Sequence, residues 1–200
     1  MRSVLITGTS TGIGQATAVT LAARGWRVFA TMRNLKKRGL LEQALKEAGV
    51  RDGVEIEQLD VTDTTSIRSA VASTLSQTGN KLDAVVHNAG VAAAGALEDV
   101  PESELRRVME TNSFGVLGLT RALLPTFRAQ RGRRLGSTLI IGSEAAYSGQ
   151  VSGAALFCTG RGFGQARDDP HARLDARIGL VDDAQRCFAA RDIGERDADV

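Results

Sequence analysis

The chain reads as an α/β protein, a doubly wound parallel sheet in three layers, α/β/α. Three features point there. Five short apolar runs alternate with amphipathic segments, the order that yields parallel strands joined by crossover helices. The first run, Val4-Leu5-Ile6-Thr7, enters a glycine-rich turn that opens a helical pattern at Gly12-Ile13-Gly14. Finally, 200 residues with 42% hydrophobic content suffice for one sizeable core, and 22 glycines suit many tight turns.

Each element has its own signal. Ile13, Thr17 and Leu21 recur at i, i+4 and i+8, which predicts a helix that turns these residues to one face and closes at Gly25. Trp26 to Thr31 is a short apolar run, the second strand, and Leu40 to Ala48 a helix. Val54 to Leu59 is the third strand, followed by a helix that Asp63 or Thr64 caps and that runs to about Ser76. Leu82 to Val86 is the fourth strand. Two helices, Glu102 to Thr111 and Phe114 to Leu124, join around Asn112-Ser113. Thr138 to Gly142 is the fifth strand and delivers Ser143 to the carboxyl edge of the sheet, where ligands of open α/β sheets bind.

Strand, glycine turn and helix start, in that order, make a phosphate site. Gly8 permits the tight turn, Gly12 lets the chain approach a pyrophosphate, and Gly14 lets helix and strand pack closely. The N–H groups of this turn, over Ser10, Thr11, Gly12 and Ile13, and the positive end of the helix dipole then face the anion. A valine at Gly14 is expected to abolish dinucleotide binding in a folded protein. At the end of the second strand, a fold that prefers NAD places an acidic residue to bind the ribose 2′-hydroxyl. This chain has Met32 and Arg33 there, with Lys36, Lys37 and Arg38 close behind. An arginine can chelate a 2′-phosphate that a carboxylate would repel. NADP(H) is the expected cofactor ahead of NAD(H), with a merely solvated basic loop as the alternative.

The spacing Thr7-Gly8-x-x-x-Gly12-Ile13-Gly14, and the run His87-Asn88-Ala89-Gly90 after the fourth strand, resemble the short-chain dehydrogenase/reductase family. The resemblance implies a Rossmann-type fold over residues 1–161, hydride transfer between a nicotinamide and an alcohol/ketone pair, and a small carbonyl or alcohol substrate. Ala30-Thr31-Met32-Arg33 looks like the branch that acts on steroids and retinoids. By the same resemblance Asp60 and the Val61 N–H hold the adenine ring, and Asn88, Ala89 and Gly90 lie against the ribose. Asn112 holds a relay water through its backbone, and Ser143 hydrogen-bonds the substrate oxygen. His87 stands where the family has asparagine, which puts in question one sheet-bracing hydrogen bond. Family analogy also implies a homodimer or homotetramer.

The likeness breaks at the proton-transfer pair. The family pattern Tyr-x-x-x-Lys meets Phe157-Cys158-Thr159-Gly160-Arg161 here. A phenol near pKa 10 needs a neighbouring cation to act as a base near neutral pH. Phe157 has no ionisable oxygen, and Arg161 does not reproduce lysine's geometry, though it could hold a ribose hydroxyl. Tyr147 is the chain's only tyrosine, and no lysine follows Lys81. Tyr147 reads as a partly exposed aromatic beside the cleft, with a substitute acid role as the lesser alternative. Beyond Arg161 the pattern is divergent or incomplete. Ile178 to Val181 is the one candidate strand, Asp182-Asp183 replaces the family's Pro-Gly, and residues 162–200 read as a loose segment of the same domain. An active reductase, a non-catalytic NADP-binding or interaction protein, and a truncated inactive member all stay open.

Other classes find little support. A net charge of +2 does not favour nucleic acid or an acidic membrane surface. The arginines at 128, 131, 133 and 134 lack interleaved aromatics and read as a solvated face. Cys158 and Cys187 give no disulfide framework, and His87 and His171 no zinc ligand set. No apolar run reaches membrane-spanning length, and the chain enters its first strand at once. The expected location is the cytoplasm.

Overall fold

The computed structural model describes residues 1–93, 99–130 and 136–142, and a short ladder at 164–165 and 175–176. Five strands, β1 (Ser3–Thr7), β2 (Arg27–Met32), β3 (Val54–Gln58), β4 (Ala84–His87) and β5 (Ser137–Ile140), form one parallel sheet in the order β3-β2-β1-β4-β5. The chain steps outward from β1 to β3, then returns to the other side of β1 at β4. That reversal opens a crevice at the carboxyl ends of β1 and β4.

Alternation along the strands builds the core on both faces. Val4, Ile6, Val28, Ala30 and Val86 meet Ala18 and Leu21 of α1 (Gly12–Ala23) and Leu41 and Leu45 of α2 (Gly39–Glu47). Leu5, Phe29 and Val85 face the other way, against Ile67 and Val71 of α3 (Thr64–Thr78) and Leu119, Leu123 and Phe127 of α5 (Gly115–Ala129). Strands covered on both faces read as continuous apolar runs, which is why the strand runs were legible.

Helix ends follow local chemistry. Asp63 Oδ1 accepts the Thr65 N–H at 2.9 Å and caps α3, which closes on Gly79 at φ 63°. α1 closes before Gly25 at φ 76°. Its buried face, however, is Gly14, Thr17, Ala18 and Leu21, spaced i, i+3, i+4, i+7. Ile13 falls at the margin of that stripe, in the first turn, and is 40% exposed, so it does not join the core as the i, i+4, i+8 pattern suggested.

The junction expected around Asn112-Ser113 is present and takes the form of a π turn. α4 (Glu102–Met109) passes into α5 through a π turn, Glu110–Phe114, in which the Gly115 N–H reaches back to the Glu110 carbonyl. α5 extends to Ala129 and takes Arg128 into its last turn. Gly164–Gln165 and Asp175–Ala176 pair antiparallel. Ile178 to Val181, like Ser143, Tyr147, Phe157 and Arg161, lies outside the described residues.

Candidate cofactor and active site

At the carboxyl end of β1 the glycine turn is held from behind. Asn88, just past β4, donates through Nδ2 to the carbonyls of Thr7 and Gly8, both at 2.9 Å. Thr7 Oγ1 accepts the Asn88 and Ala89 N–H groups at 3.0 and 2.9 Å and donates to the Val86 carbonyl at 3.4 Å. The turn and the end of β4 thus form one braced unit. On the other side, the Thr9 N–H and hydroxyl both donate to the Thr31 carbonyl, at 3.0 and 3.1 Å. Thr31 Oγ1 donates in turn to Ile6 O at 2.9 Å. These threonine braces were missed in the sequence. Their only signal was a β-branched hydroxyl at the ends of otherwise apolar strands.

Each glycine has a distinct reason to be glycine. A side chain at Gly14 would collide with Asn88 Nδ2 and the Gly8 carbonyl. At Gly8, φ is +71° and a Cβ would come within 2.8 Å of Ala89 Cα. At Gly12, φ is +62° and a Cβ would meet nothing within 4 Å, so this position opens outward. The turn leads into α1 with Thr11 at the N-cap in an extended conformation, making no side-chain capping bond, and no acidic residue sits in the first turn. The first-turn N–H groups of a helix have no intrahelical partner, and the Thr11 side chain caps none of them here. Ser10 is half-buried, while Thr11 and Ile13 are exposed beside it.

The basic stretch lies past β2. Arg33 is exposed, and its carbonyl accepts Gln58 Nε2 at 3.2 Å, tying it to the end of β3. Asn34 Oδ1 accepts the Lys36 N–H at 3.0 Å and starts a single 3₁₀ turn, Leu35–Lys37. Arg38 pairs with Glu42 at 3.4 Å, whereas no ion pair among the described residues engages Arg33, Lys36 or Lys37. Past β3, Asp60 Oδ1 accepts both the N–H and the hydroxyl of Thr62, at 3.0 and 2.7 Å. Val61 is buried against Gly115, where a Cβ would come within 2.8 Å of it.

A second part of the crevice, about 290 Å³, opens at the ends of β4 and β5. His87, Gly90, Val91, Asn112 and Gly142 are among its walls. His87 is buried, and that burial pushes its imidazole down to about 4, so the ring is neutral at ordinary pH. Its Nε2 lies 3.1 Å from Thr120 Oγ1 on α5. The end of β4 is therefore braced at His87, to a helix hydroxyl, which answers the question raised by the missing asparagine. Asn112 sits on the π turn and grips Val91 twice, accepting its N–H at 2.9 Å and donating to its carbonyl at 2.8 Å. Such π turns occur often at functional sites.

The family model for short chain dehydrogenase matches residues 2–165. The chain belongs to the short-chain dehydrogenase family. Bovine (Bos taurus) retinol dehydrogenase 8 is 37% identical over 153 residues, 75% of this chain and 47% of that protein. Human (Homo sapiens) 17-beta-hydroxysteroid dehydrogenase type 1 is 36% identical over 150 residues, 73% of this chain and 44% of that protein. Among solved structures, a short-chain dehydrogenase from Streptomyces avermitilis superimposes with a TM-score of 0.69 at 36% identity, over 79% of this chain and 55% of that one. The chain thus spans about half the length of the curated relatives it matches. Among the described residues no helix is long and apolar enough to cross a membrane.

Proposed function

We propose that this chain binds NADP(H) and serves an oxidoreductase reaction between an alcohol and a ketone, on a small substrate of the apolar kind that its retinol and hydroxysteroid relatives are named for. The observation that carries the reading is the glycine turn. It is rigidly braced by Asn88 and Thr7, open at Gly12, and followed by an uncapped helix start. Those features fit a dinucleotide pyrophosphate, with Gly8, Ser10, Thr11, Gly12, Ile13 and Gly14 forming the cradle. Arg33 would take the 2′-phosphate, Asp60 and Val61 the adenine, and Ala89 and Gly90 the ribose beyond. A bound nicotinamide supplies or takes up the hydride.

The chain's own residues then divide the remaining work. Asn88 orients the turn rather than reaching outward. Asn112 would hold a water through its backbone, and Ser143 would hydrogen-bond the substrate oxygen. Phe157 cannot pass a proton, and Arg161 can hold a ribose hydroxyl without tuning a phenol. That pair favours a second reading, an NADP-binding member with little or no turnover. Assembly as a homodimer or homotetramer and a cytoplasmic location belong to the same proposal.

Calorimetric titration with NADPH and NADH tests the cofactor reading. NADPH should bind about tenfold or more tightly than NADH, the lower end of one charge-assisted contact at an exposed arginine. In Arg33→Asp the preference should collapse or invert. Equal affinity of the unmodified protein for both cofactors refutes the assignment of Arg33.

A further inference from the structure

The segment after Gly90 is gripped by a second side chain that no motif singles out. Arg107, near the end of α4, donates through Nη2 to the Ala92 carbonyl at 3.2 Å. Its guanidinium is aimed by Glu104, whose Oε2 accepts from Nε at 3.0 Å and from Nη2 at 2.7 Å. Two charge-assisted bonds from one edge of the guanidinium to a single carboxylate oxygen restrain its plane. One residue earlier, Asn112 holds Val91 by both its N–H and its carbonyl. Val91 and Ala92 both line the crevice beyond Gly90, on the β4–β5 side. Two successive residues of one wall are thus fastened to the α4–π turn by three hydrogen bonds.

We infer that Arg107, oriented by Glu104, is a positioning residue for the nicotinamide end of the cofactor site. It acts by holding the Val91-Ala92 backbone in place and touches neither cofactor nor substrate. The inference rests on the dinucleotide reading proposed above. Physically, a single-residue wall with an unpaired carbonyl is free to rotate. Fixing both peptides removes that freedom before the ligand arrives, which is how preorganisation raises affinity. Lysine at 107 would keep the charge but lose the fork that reaches Glu104 and Ala92 together.

The experiment compares two probes, NADPH and adenosine 2′,5′-bisphosphate, which lacks the pyrophosphate-linked nicotinamide half. Both are titrated into the unmodified protein, Arg107→Ala, Arg107→Lys and Glu104→Gln. Arg107→Ala should weaken NADPH about five- to tenfold, with Arg107→Lys close behind and Glu104→Gln smaller, while the bisphosphate binds all four alike. The figure reflects one charge-assisted bond at a partly exposed site. A general structural defect would weaken both probes together, and that outcome overturns the inference, as does unchanged NADPH affinity in Arg107→Ala. If the unmodified protein binds neither probe, the cofactor reading falls and this inference with it.

Discussion

At the end of β1 the chain's own groups satisfy one another before any ligand arrives: Asn88 holds Thr7 and Gly8, Thr7 holds Asn88 and Ala89, and Thr9 holds Thr31. At the ends of β4 and β5 the frame is equally well fastened, through His87 to Thr120, Asn112 to Val91 and Arg107 to Ala92. The two regions differ in what the sequence then supplies to them. Beside the first lie the open Gly12 and, past β2, cations that no ion pair among the described residues engages, which suit the phosphate groups of the proposed cofactor. For the second, the sequence supplies Ser143, but Phe157 and Arg161 stand at the motif positions where family chemistry requires a phenol and an ammonium. On the proposed reading, binding and proton transfer therefore separate, because they depend on different residues of the chain.

The largest expected effect tests that separation. The unmodified protein should bind NADPH yet reduce ketones very slowly, since loss of general acid catalysis typically forfeits about 10²–10⁴ in rate. Phe157→Tyr alone should recover little, because nothing lowers the restored phenol's pKa. Phe157→Tyr with Arg161→Lys should recover more than the two single changes combined would suggest, as residues of one proton relay are non-additive. NADPH oxidation over a panel of ketones, read beside calorimetry on the same samples, gives the answer. Brisk reduction by the unmodified chain would break the comparison and direct attention to Tyr147 or a water as the proton donor.

The next effect belongs to the frame around the second region. His87 is neutral in the folded protein, with its pKa pushed from 6.5 to about 4 by burial. Unfolded, it takes up a proton near its ordinary value. The folded form is therefore favoured fully above about pH 6.5, and that advantage is lost as pH falls toward 4, by about 3 kcal/mol in all. His87→Asn keeps a polar side chain facing Thr120 but cannot titrate. Chemical denaturation at pH 7 and pH 4.5 should show a steeper loss in the unmodified protein than in the variant. Parallel losses would mean the ring is hydrated in solution.

How much of this was legible in the sequence follows from the range of each interaction. The five strands and their order of appearance were plain, because runs such as Val4-Leu5-Ile6 and Ala84-Val85-Val86 are apolar on both faces. The Asp63 cap was readable because its partner, Thr65, is two residues away. The glycine spacing and the basic turn after Met32 were readable for the same local reason. What escaped was every bond spanning a long stretch of chain: Thr7 to Ala89, His87 to Thr120, Arg107 to Ala92. No period or spacing records those pairs. Ile13 was misjudged because a three-residue pattern did not show where the buried stripe was centred. The junction at Asn112-Ser113 was placed, but nothing local showed that it is a π turn or that Asn112 spends its side chain on Val91.

The sharpest test, down to the small strain of a single methyl group, lies within the glycine turn itself. A valine at Gly14 cannot serve as a clean binding probe, contrary to what the motif alone suggests. Even a methyl group there would strike Asn88 Nδ2 and the Gly8 carbonyl, so the change disrupts the brace before it touches a ligand. Gly14→Ala should cost about 3 kcal/mol of stability, the upper range for overpacking against atoms that cannot easily move. Gly12→Ala meets no neighbouring atom, and only its φ of +62° is unfavourable, which is worth about 1 kcal/mol. Its methyl group would nevertheless stand on the open side of the turn, where the pyrophosphate is expected. Thermal melts should therefore show a large shift for Gly14→Ala and a small one for Gly12→Ala, while NADPH titration of the folded Gly12→Ala protein shows a marked loss of affinity. If Gly12→Ala binds NADPH as tightly as the unmodified chain, the anion does not approach this turn, and the braced half of the site has another purpose.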